Sequence, residues 1–136
     1  MKKIVLDTNC YAAYLSGDAR VLEALAAAEI VFLSVFVLGE LFAGFKGGSR
    51  EAANRELLER FLRKPTVQVL NATAETATVF GQLKAALKKA GTPLPINDVW
   101  IAAHAVETGA TLVSYDSHFE KIIGLRIWQP PPLNFT

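Results

Sequence analysis

The chain has 136 residues and a mass of 14.8 kDa, the size of one domain with a single hydrophobic core. Lys and Arg number 14 and Asp and Glu number 13, so the net charge of +1 gives no overall field that would predict a nucleic-acid, membrane or acidic partner. Hydrophobic residues make up 51% and charged residues 20%, which excludes a disordered chain.

The cysteine content and the apolar stretches indicate where the protein works. Its single cysteine, Cys10, can form no internal disulfide, which favours the reducing cytoplasm. The most apolar stretch, 30–45, contains Ser34 and Glu40 and falls short of the roughly 18 uninterrupted apolar residues that a membrane span needs. We therefore expect a cytoplasmic protein with no membrane partner.

Hydrophobic periodicity predicts strands and helices that alternate along the chain. The predicted strands cover residues 4–6, 30–33, 67–70, 111–114 and 125–128. The predicted helices cover residues 10–15, 21–29, 35–45, 50–63, 73–90 and 98–107, and a short helix follows at 117–120. This alternation is typical of a three-layer α/β/α sandwich with a central, mainly parallel sheet of about five strands. The ligand site of such a fold lies beyond the carboxyl ends of the strands.

Polar residues in front of several helices predict their N-caps. Asp7, Thr8 and Asn9 follow the first strand, and all three residue types favour helix N-termini. Ser34 and Ser49 are expected to cap the helices that follow them. The sequence Ser117-His118-Phe119-Glu120 matches a capping box with its serine as the N-cap.

Three aspartates are expected at the same edge of the sheet. Asp7 follows the first strand, Asp116 follows the fourth, and Asp98 opens a helix after a proline-rich loop. Each of them alone is better explained as a helix cap, because an Asp near a helix start satisfies free N–H groups and complements the helix dipole.

Glu40 lacks that ordinary explanation. It lies within the apolar segment 35–42, and none of its neighbours at i±3 or i±4 is a lysine or arginine. A buried and unpaired carboxylate costs several kcal/mol, so this one should be protonated, meet a distant cation or share a metal. Gly39 beside it is expected to let another backbone come close.

Together the four acids form an all-oxygen set that suits Mg²⁺ or Mn²⁺. Zinc is disfavoured, because Cys10, His104 and His118 offer no ligand pair at the usual spacing. Carboxylates held close together repel one another, so their pKa values are expected to be raised in the metal-free protein. His104 lies among alanines and is expected to be a hydrogen-bonded interior residue.

In this order the motifs resemble those of the PIN-domain nucleases, most closely the VapC toxins of bacterial and archaeal toxin–antitoxin pairs. The motifs are Leu6-Asp7-Thr8-Asn9, Leu38-Gly39-Glu40-Leu41, Asn97-Asp98 and Ser114-Tyr115-Asp116. The likeness covers residues 3–128, which predicts one nuclease domain at 1–129 and a proline-rich tail at 130–136. Ser114 stands where many relatives have threonine, which keeps the hydroxyl group.

The resemblance implies a Mg²⁺-dependent endoribonuclease, with Mn²⁺ as a substitute, that hydrolyses RNA phosphodiester bonds with metal-activated water. It implies that Asp7 and Asp98 hold the principal ion, that Asp116 completes its shell directly or through water, and that Glu40 steadies a water or a second ion. The candidates for orienting these ligands or touching the substrate are Thr8, Asn9, Ser114 and His118. The implied partners are a structured RNA such as tRNA, a VapB-like antitoxin and a second copy of the chain.

Basic residues offer one further set of candidates. Lys84, Lys88 and Lys89 have no acid within helical reach and are candidates for contacting the RNA backbone. The denser basic run at 46–64 is expected to be neutralised within its own helix. Its expected pairs are Glu51–Arg55, Glu56–Arg60 and Glu59–Arg63, which leaves Lys46, Arg50 and Lys64 unpaired.

Three other functions are compatible with parts of the sequence. The first is an RNA-processing PIN nuclease with no toxin role. The second is a phosphatase or phosphotransferase of the haloacid-dehalogenase kind with Asp7 as nucleophile, although Asn9 stands where that group has a second aspartate. The third is a non-catalytic interaction module, which the presence of all four acids disfavours.

Overall fold

The computed structural model describes residues 2–133. Its strands are β1 (Lys3–Leu6), β2 (Ile30–Ser34), β3 (Val67–Leu70), β4 (Thr111–Val113) and β5 (Arg126–Ile127). Its α-helices are α1 (Thr8–Leu15), α2 (Ala19–Ala27), α3 (Val35–Lys46), α4 (Glu51–Leu62), α5 (Ala74–Ala90) and α6 (Ile96–Thr108), and a 3₁₀ helix covers Ser117–Lys121. The strands form one parallel sheet in the order β3-β2-β1-β4-β5, which confirms the predicted fold class.

The chain winds in two directions from β1. It passes through β2 to β3 at one edge, and then returns through α5 and α6 to β4 on the other side of β1. Right-handed crossovers put the helices of these two halves on opposite faces of the sheet, which gives the three layers. The strand order reverses between β1 and β4, and ligands of such folds bind at the carboxyl ends of strands at this point.

The central strands are apolar because both of their faces are covered. Ile4, Val5 and Leu6 of β1 are fully buried, as are Leu112 and Val113 of β4. The edge strand β3 is more exposed, and its burial decreases beyond Val67. The core therefore lies around β1 and β4, directly beneath the sheet edge where the acidic residues were predicted.

His104 is an interior histidine, as predicted. Its Nε2 lies 3.3 Å from the carbonyl oxygen of Asn71, which can only accept a hydrogen bond, so the proton belongs on Nε2. Its Nδ1 then accepts from the Ser34 hydroxyl at 2.8 Å, while that hydroxyl oxygen accepts the Phe36 N–H and caps α3. Burial lowers the pKa of His104, which keeps the ring neutral. One serine thus joins the end of β2, the start of α3 and the middle of α6.

Two predicted N-caps are wrong. Ser49 caps nothing, because α4 begins at Glu51 and the preceding Arg50 makes no side-chain cap. Ser117 is replaced as N-cap by Asp116, whose Oδ1 accepts the His118 N–H at 3.1 Å. The reason is that Ser114 Oγ accepts the Asp116 N–H at 3.0 Å and turns the chain one residue earlier.

Helix α3 is less buried than its apolar sequence predicts. Only Val37 and Leu41 are buried in it, and Gly39 is exposed. A Cβ atom added at Gly39 would meet nothing within 4 Å, so the expected close approach of another backbone at this glycine is wrong. The apolar side chains of α3 therefore form part of the surface of the single chain.

The charges of α4 pair differently from the prediction, and neither Glu51–Arg55 nor Glu59–Arg63 forms an ion pair. The Glu56–Arg60 pair forms at 2.9 Å, but Glu51 pairs with Lys46 at 2.9 Å across the turn that joins α3 and α4. Arg55 instead places its guanidinium 4.6 Å from the ring centre of Phe42. The expectation that Lys46 stays unpaired is wrong, because the turn brings it back to the start of α4.

The last regular element is β5, and residues 129–133 contain no helix or strand. The remaining part of the predicted tail, 134–136, lies outside the described residues, and the domain boundary at 129 stays a prediction. No helix within residues 2–133 is both long enough and apolar enough to cross a bilayer.

Candidate active site

A pocket of about 440 Å³ opens at the sheet edge where β1 and β4 end. All four predicted acids line it, although they are up to 109 positions apart in the sequence (116 − 7 = 109). Its polar lining consists of Asp7, Thr8, Asn9, Glu40, Asn97, Asp98 and Asp116, and its apolar lining of Pro95, Ile96, Ile101 and Phe119. Asn97 is the lining residue that the sequence did not single out, although it directly precedes Asp98 in its motif.

Asp7 is held in place by the backbone on two sides. Its N–H donates to the carbonyl of Val113 at 3.2 Å, which ties it to β4. Its Oδ1 accepts the Cys10 N–H at 2.8 Å, which makes it the N-cap of α1. The side chain is buried, with 7% exposed. Burial raises the pKa of Asp7, the negative charge of Asp116 adds to this, and contacts with Ser114 and Cys10 oppose it.

Asp98 occupies the first turn of α6, and its N–H donates to the carbonyl of Pro95 at 3.0 Å. Burial is the main cause that raises the pKa of Asp98, the contact with His118 lowers it, and the charges of Glu40 and Asp116 raise it further. The expected rise in pKa is therefore present at Asp7 and Asp98. Its main cause is burial, and repulsion between the acids is a smaller contribution.

Glu40 is hydrogen-bonded to a residue of another helix, and the distant cation that was one of the expected partners is not found within residues 2–133. The partner is the Thr8 hydroxyl, which donates to Glu40 Oε1 at 2.8 Å, and no cation is involved in this contact. The side chain is half-buried, so its charge remains partly solvated. The hydrogen bond joins the first turn of α1 to the middle of α3 across the pocket floor.

His118 lies between two of the acids. Its Nε2 is 2.9 Å from Asp98 Oδ2 and its Nδ1 is 2.8 Å from Asp116 Oδ1. The contact of Nε2 with Asp98 is a hydrogen bond, whereas the contact of Nδ1 with Asp116 is a close N···O approach. The sequence identified His118 only as a candidate for orienting the metal ligands or touching the substrate. Its position two residues after Asp116 was the signal that could have placed it in the cluster, because the intervening turn brings the ring to within 2.8 Å of Asp116.

The arrangement fits a divalent cation. Ligand atoms of Asp98, Asp116 and His118 lie within 4.8 Å of one another, and Asp7 and Glu40 face the same pocket. The raised pKa values of Asp7 and Asp98 show that the acids are less easily ionised here, so a bound cation would stabilise them. The sequence predicted a donor set made only of oxygen atoms. His118 also belongs to the cluster, so its ring nitrogens join the possible donors.

The remaining predicted residues fall into two groups. Thr8 and Ser114 support acids, through Glu40 and through the Asp116 N–H respectively, while Asn9 lines the pocket with an exposed side chain. The basic candidates Lys84, Lys88 and Lys89 lie outside it, and no lysine or arginine of residues 2–133 lines the acidic pocket. A polyanion would therefore find no cationic side chain in the pocket itself.

Comparisons with known proteins agree with this geometry. The PIN domain family model matches residues 4–125. The chain is 34% identical over 131 residues to Ribonuclease VapC2 of Haemophilus influenzae, covering 93% of this chain and 96% of the relative. It is 32% identical over 129 residues to the Shigella flexneri protein named tRNA(fMet)-specific endonuclease VapC, covering 93% and 96%.

Solved structures give the same result. VapBC2 from Rickettsia felis, bound to a DNA fragment from its promoter, matches with a TM-score of 0.82 and 26% identity over 93% of this chain and 97% of that chain. DNA-bound VapBC from Salmonella typhimurium matches with a TM-score of 0.82 and 29% identity over 94% and 98%. A parallel sheet with acids gathered at its switch point is the PIN architecture. The chain belongs to the PIN-domain family, among its VapC-like ribonucleases.

Proposed function

We propose that this chain is a divalent-metal-dependent endoribonuclease and the toxin of a VapBC-type toxin–antitoxin pair. The observation that carries the proposal is the convergence of Asp7, Glu40, Asp98 and Asp116 on one pocket. The ribonuclease names of the relatives support the reaction, and the VapBC complexes among the structural neighbours support the toxin role.

Mg²⁺ is the proposed cofactor, with Mn²⁺ as a substitute, because the pocket is rich in carboxylate oxygens and contains no thiol among its lining residues. Asp7 and Asp98 hold the ion, Asp116 completes its shell directly or through water, and Glu40 steadies a water or a second ion. When bound, such an ion makes water a better nucleophile at neutral pH and offsets the charge that develops on a phosphate.

The chain's own residues fix the geometry of the reaction. The Cys10 N–H fixes the direction of the Asp7 carboxylate, and the Thr8 hydroxyl fixes that of Glu40. The free oxygen of Glu40 can then accept a proton from water that enters the pocket. The side-chain amides of Asn9 and Asn97 line the same pocket and can donate to phosphate oxygens.

A structured RNA such as tRNA is the proposed substrate, because the Shigella flexneri relative is named for tRNA(fMet). A VapB-like antitoxin is the proposed protein partner, and the cytoplasm, where the RNA is found, is the proposed location. We also expect a homodimer. The mean hydropathy is +0.28, and the stacked rings of Phe36, Trp100 and Phe80 are only half-buried in the single chain.

The alternatives differ in what supports them. The phosphatase hypothesis loses its support, because the PIN domain family model matches residues 4–125. Asn9 also occupies the place of the second aspartate that a phosphatase of this kind would need. An RNA-processing nuclease would use the same pocket and differs only in its biological role. Growth arrest on expression, relieved by co-expression of the antitoxin, is expected of the toxin and contradicts the housekeeping role.

The cleavage test compares charge-removing variants at the pocket with one outside it. Asp7→Asn, Asp98→Asn and Glu40→Gln are each expected to lower tRNA cleavage in Mg²⁺ by at least about 100-fold, because each removes a proposed ligand or proton acceptor. Glu59→Gln, an exposed residue of α4, is the matched control and should cleave normally. Full activity of Asp7→Asn and Asp98→Asn, or unchanged wild-type activity in EDTA, would overturn the proposed mechanism.

A further inference from the structure

A second cavity lies directly beside the acidic pocket. Its volume is about 210 Å³, and its walls are mainly apolar. Leu87 of α5, Pro93 and Leu94 of the following loop, and Val99 of α6 form these walls. Lys84 and Lys88 form its rim. The cavity thus combines an apolar interior with a cationic edge, the opposite of the acidic pocket.

The two cavities share one segment of chain as their dividing wall. Residues 95–98 line the acidic pocket, while Leu94 and Val99, which flank that segment, line the second cavity. Asp98 and Val99 are neighbours in the chain, with Cα atoms about 3.8 Å apart, yet they line different cavities. The two cavities therefore lie on different sides of the segment that carries Asp98 and Val99.

The charges favour an anionic ligand at this place. Lys84 and Lys88 are exposed and lie one turn apart on α5, so they face the same side of the helix. Neither forms an ion pair with any residue in the described part of the chain. No lysine or arginine of residues 2–133 lines the acidic pocket, whereas two lysines line the second cavity.

We infer that the second cavity binds an unpaired base of the RNA, with Lys84 and Lys88 contacting the phosphates on either side of that base. The base would leave water for the apolar walls, and the aliphatic stems of the two lysines would cover it. Unstacked bases are the parts of RNA that proteins bind in this way. The inference rests on the proposed function, because it assigns a subsite to the same RNA substrate, and it selects Lys84 and Lys88 over Lys89, which does not line the cavity.

The test measures RNA binding without cleavage. Asp98→Asn is the parent chain, so that the RNA stays intact, and the probe is a labelled single-stranded RNA of about ten nucleotides. Lys84→Ala and Lys88→Ala are each expected to weaken binding by about threefold to tenfold and to lower the slope of log K against log salt by about 0.7. Lys89→Ala is the matched control on the same helix and should change affinity less than about twofold.

A second measurement tests the base itself. An abasic residue is moved along the probe one position at a time, and one position is expected to show a loss of about fivefold or more in the parent. At that position the loss of affinity should be smaller in Lys88→Ala than in the parent. The effects of removing a base and a lysine stem that contact each other are not additive. Equal effects of all three lysine variants, or no position that depends on its base, would overturn the inference.

An acidic peptide is the competing ligand, and the outcomes separate it. If Lys84→Ala and Lys88→Ala lose affinity for an antitoxin peptide while RNA binding stays at the parent value, the cavity is a protein-docking site and the base subsite is wrong. Cleavage by the wild-type chain is measured separately. A wild type that cleaves no RNA contradicts the proposed function, whereas a cleaving wild type with insensitive lysines contradicts only the subsite.

Discussion

Asp7 serves the fold and the site with the same side chain. As the N-cap of α1 it accepts a backbone N–H, and as a pocket acid it carries a charge that burial disfavours. The first role requires an oxygen atom, whereas the second requires a negative charge. The two roles can therefore be separated by a substitution that keeps the oxygen and removes the charge.

Asp7→Asn is expected to stabilise the metal-free protein at pH 7 by about 0.5–2 kcal/mol, since asparagine caps helices as well as aspartate does. The pKa of Asp7 is raised by folding, so the folded state holds this proton more tightly than the unfolded state. The charged carboxylate thus costs stability above the raised pKa, and this cost fades as the pH falls toward the ordinary value of 3.8. Thermal unfolding in EDTA at several pH values measures the difference.

The sign of the pH dependence is the decisive part of this prediction. The gain from Asp7→Asn should be largest near neutral pH and absent below about pH 3, where the wild-type carboxyl is protonated in both states. A variant that is less stable than wild type at pH 7 would show that the charge of Asp7 supports the fold, contrary to its burial.

At the scale of elements, the loop between β4 and the 3₁₀ helix is fixed by the side chain of Tyr115, directly before Asp116. Tyr115 donates its hydroxyl to both oxygens of Asp18, at 3.0 and 2.9 Å, and Asp18 is itself the N-cap of α2. The Arg20 guanidinium lies 4.8 Å from the centre of the Tyr115 ring. The start of α2 therefore anchors the residue that directly precedes a proposed metal ligand.

Tyr115→Phe is expected to weaken Mn²⁺ binding by about threefold to tenfold, because it frees the loop that carries Asp116 while keeping the aromatic ring. The exposed hydrogen bond itself should contribute less than about 1 kcal/mol to stability. Calorimetric titration with Mn²⁺ measures the affinity. Tyr14→Phe, which also removes a hydroxyl but lies in the aromatic cluster of Tyr11 and Phe61, is the control and should bind Mn²⁺ normally.

The sequence predicted most elements because their signals are local. The β-branched runs of β1 and β2, and the caps Asp7 and Ser34, depend on residues within a few positions of each other. The errors arose where a contact is not local. Asp116 is the N-cap in place of Ser117, because the hydrogen bond from the Asp116 N–H to Ser114 turns the loop one residue earlier. Lys46 pairs with Glu51 because the turn after α3 reverses the direction of the chain.

The site followed the same rule. Asp7 and Asp116 could be predicted because the carboxyl ends of parallel strands share one edge, Asp98 because it opens a helix after a loop, and Glu40 because its neighbours are apolar. Their hydrogen bonds could not, because the Thr8–Glu40 contact joins residues 32 positions apart and the His118–Asp98 contact joins residues 20 positions apart. Which side chains meet across such separations depends on how the helices pack, and hydrophobic periodicity does not specify that packing.

For the whole molecule, the sheet topology makes the site depend on the complete fold. Asp7 comes from the first strand, Glu40 from α3, Asp98 from α6 and Asp116 from the loop after β4. No single half of the chain contains the full set. Binding of an ion to all of them must therefore oppose global unfolding.

Mn²⁺ is expected to stabilise the wild-type protein against unfolding by about 2.7 kcal/mol at a hundredfold excess over its Kd. Asp98→Asn should lose most of this gain, whereas Glu59→Gln should keep it. Melting curves recorded with increasing Mn²⁺ measure the effect. A melting temperature that does not respond to Mn²⁺ in the wild type would contradict a metal site built from these acids.

The double use of Asp7 has a genetic consequence. Aspartate and asparagine codons differ by one base, so a single transition converts this cap into its uncharged equivalent. The resulting allele would encode a protein that has lost its charge at the pocket yet keeps its shape, accumulates normally and still presents an intact surface to a binding protein. Under the proposed metal role of Asp7, selection against a harmful copy of the gene would have a one-step route that leaves a folded, silent product in the cell.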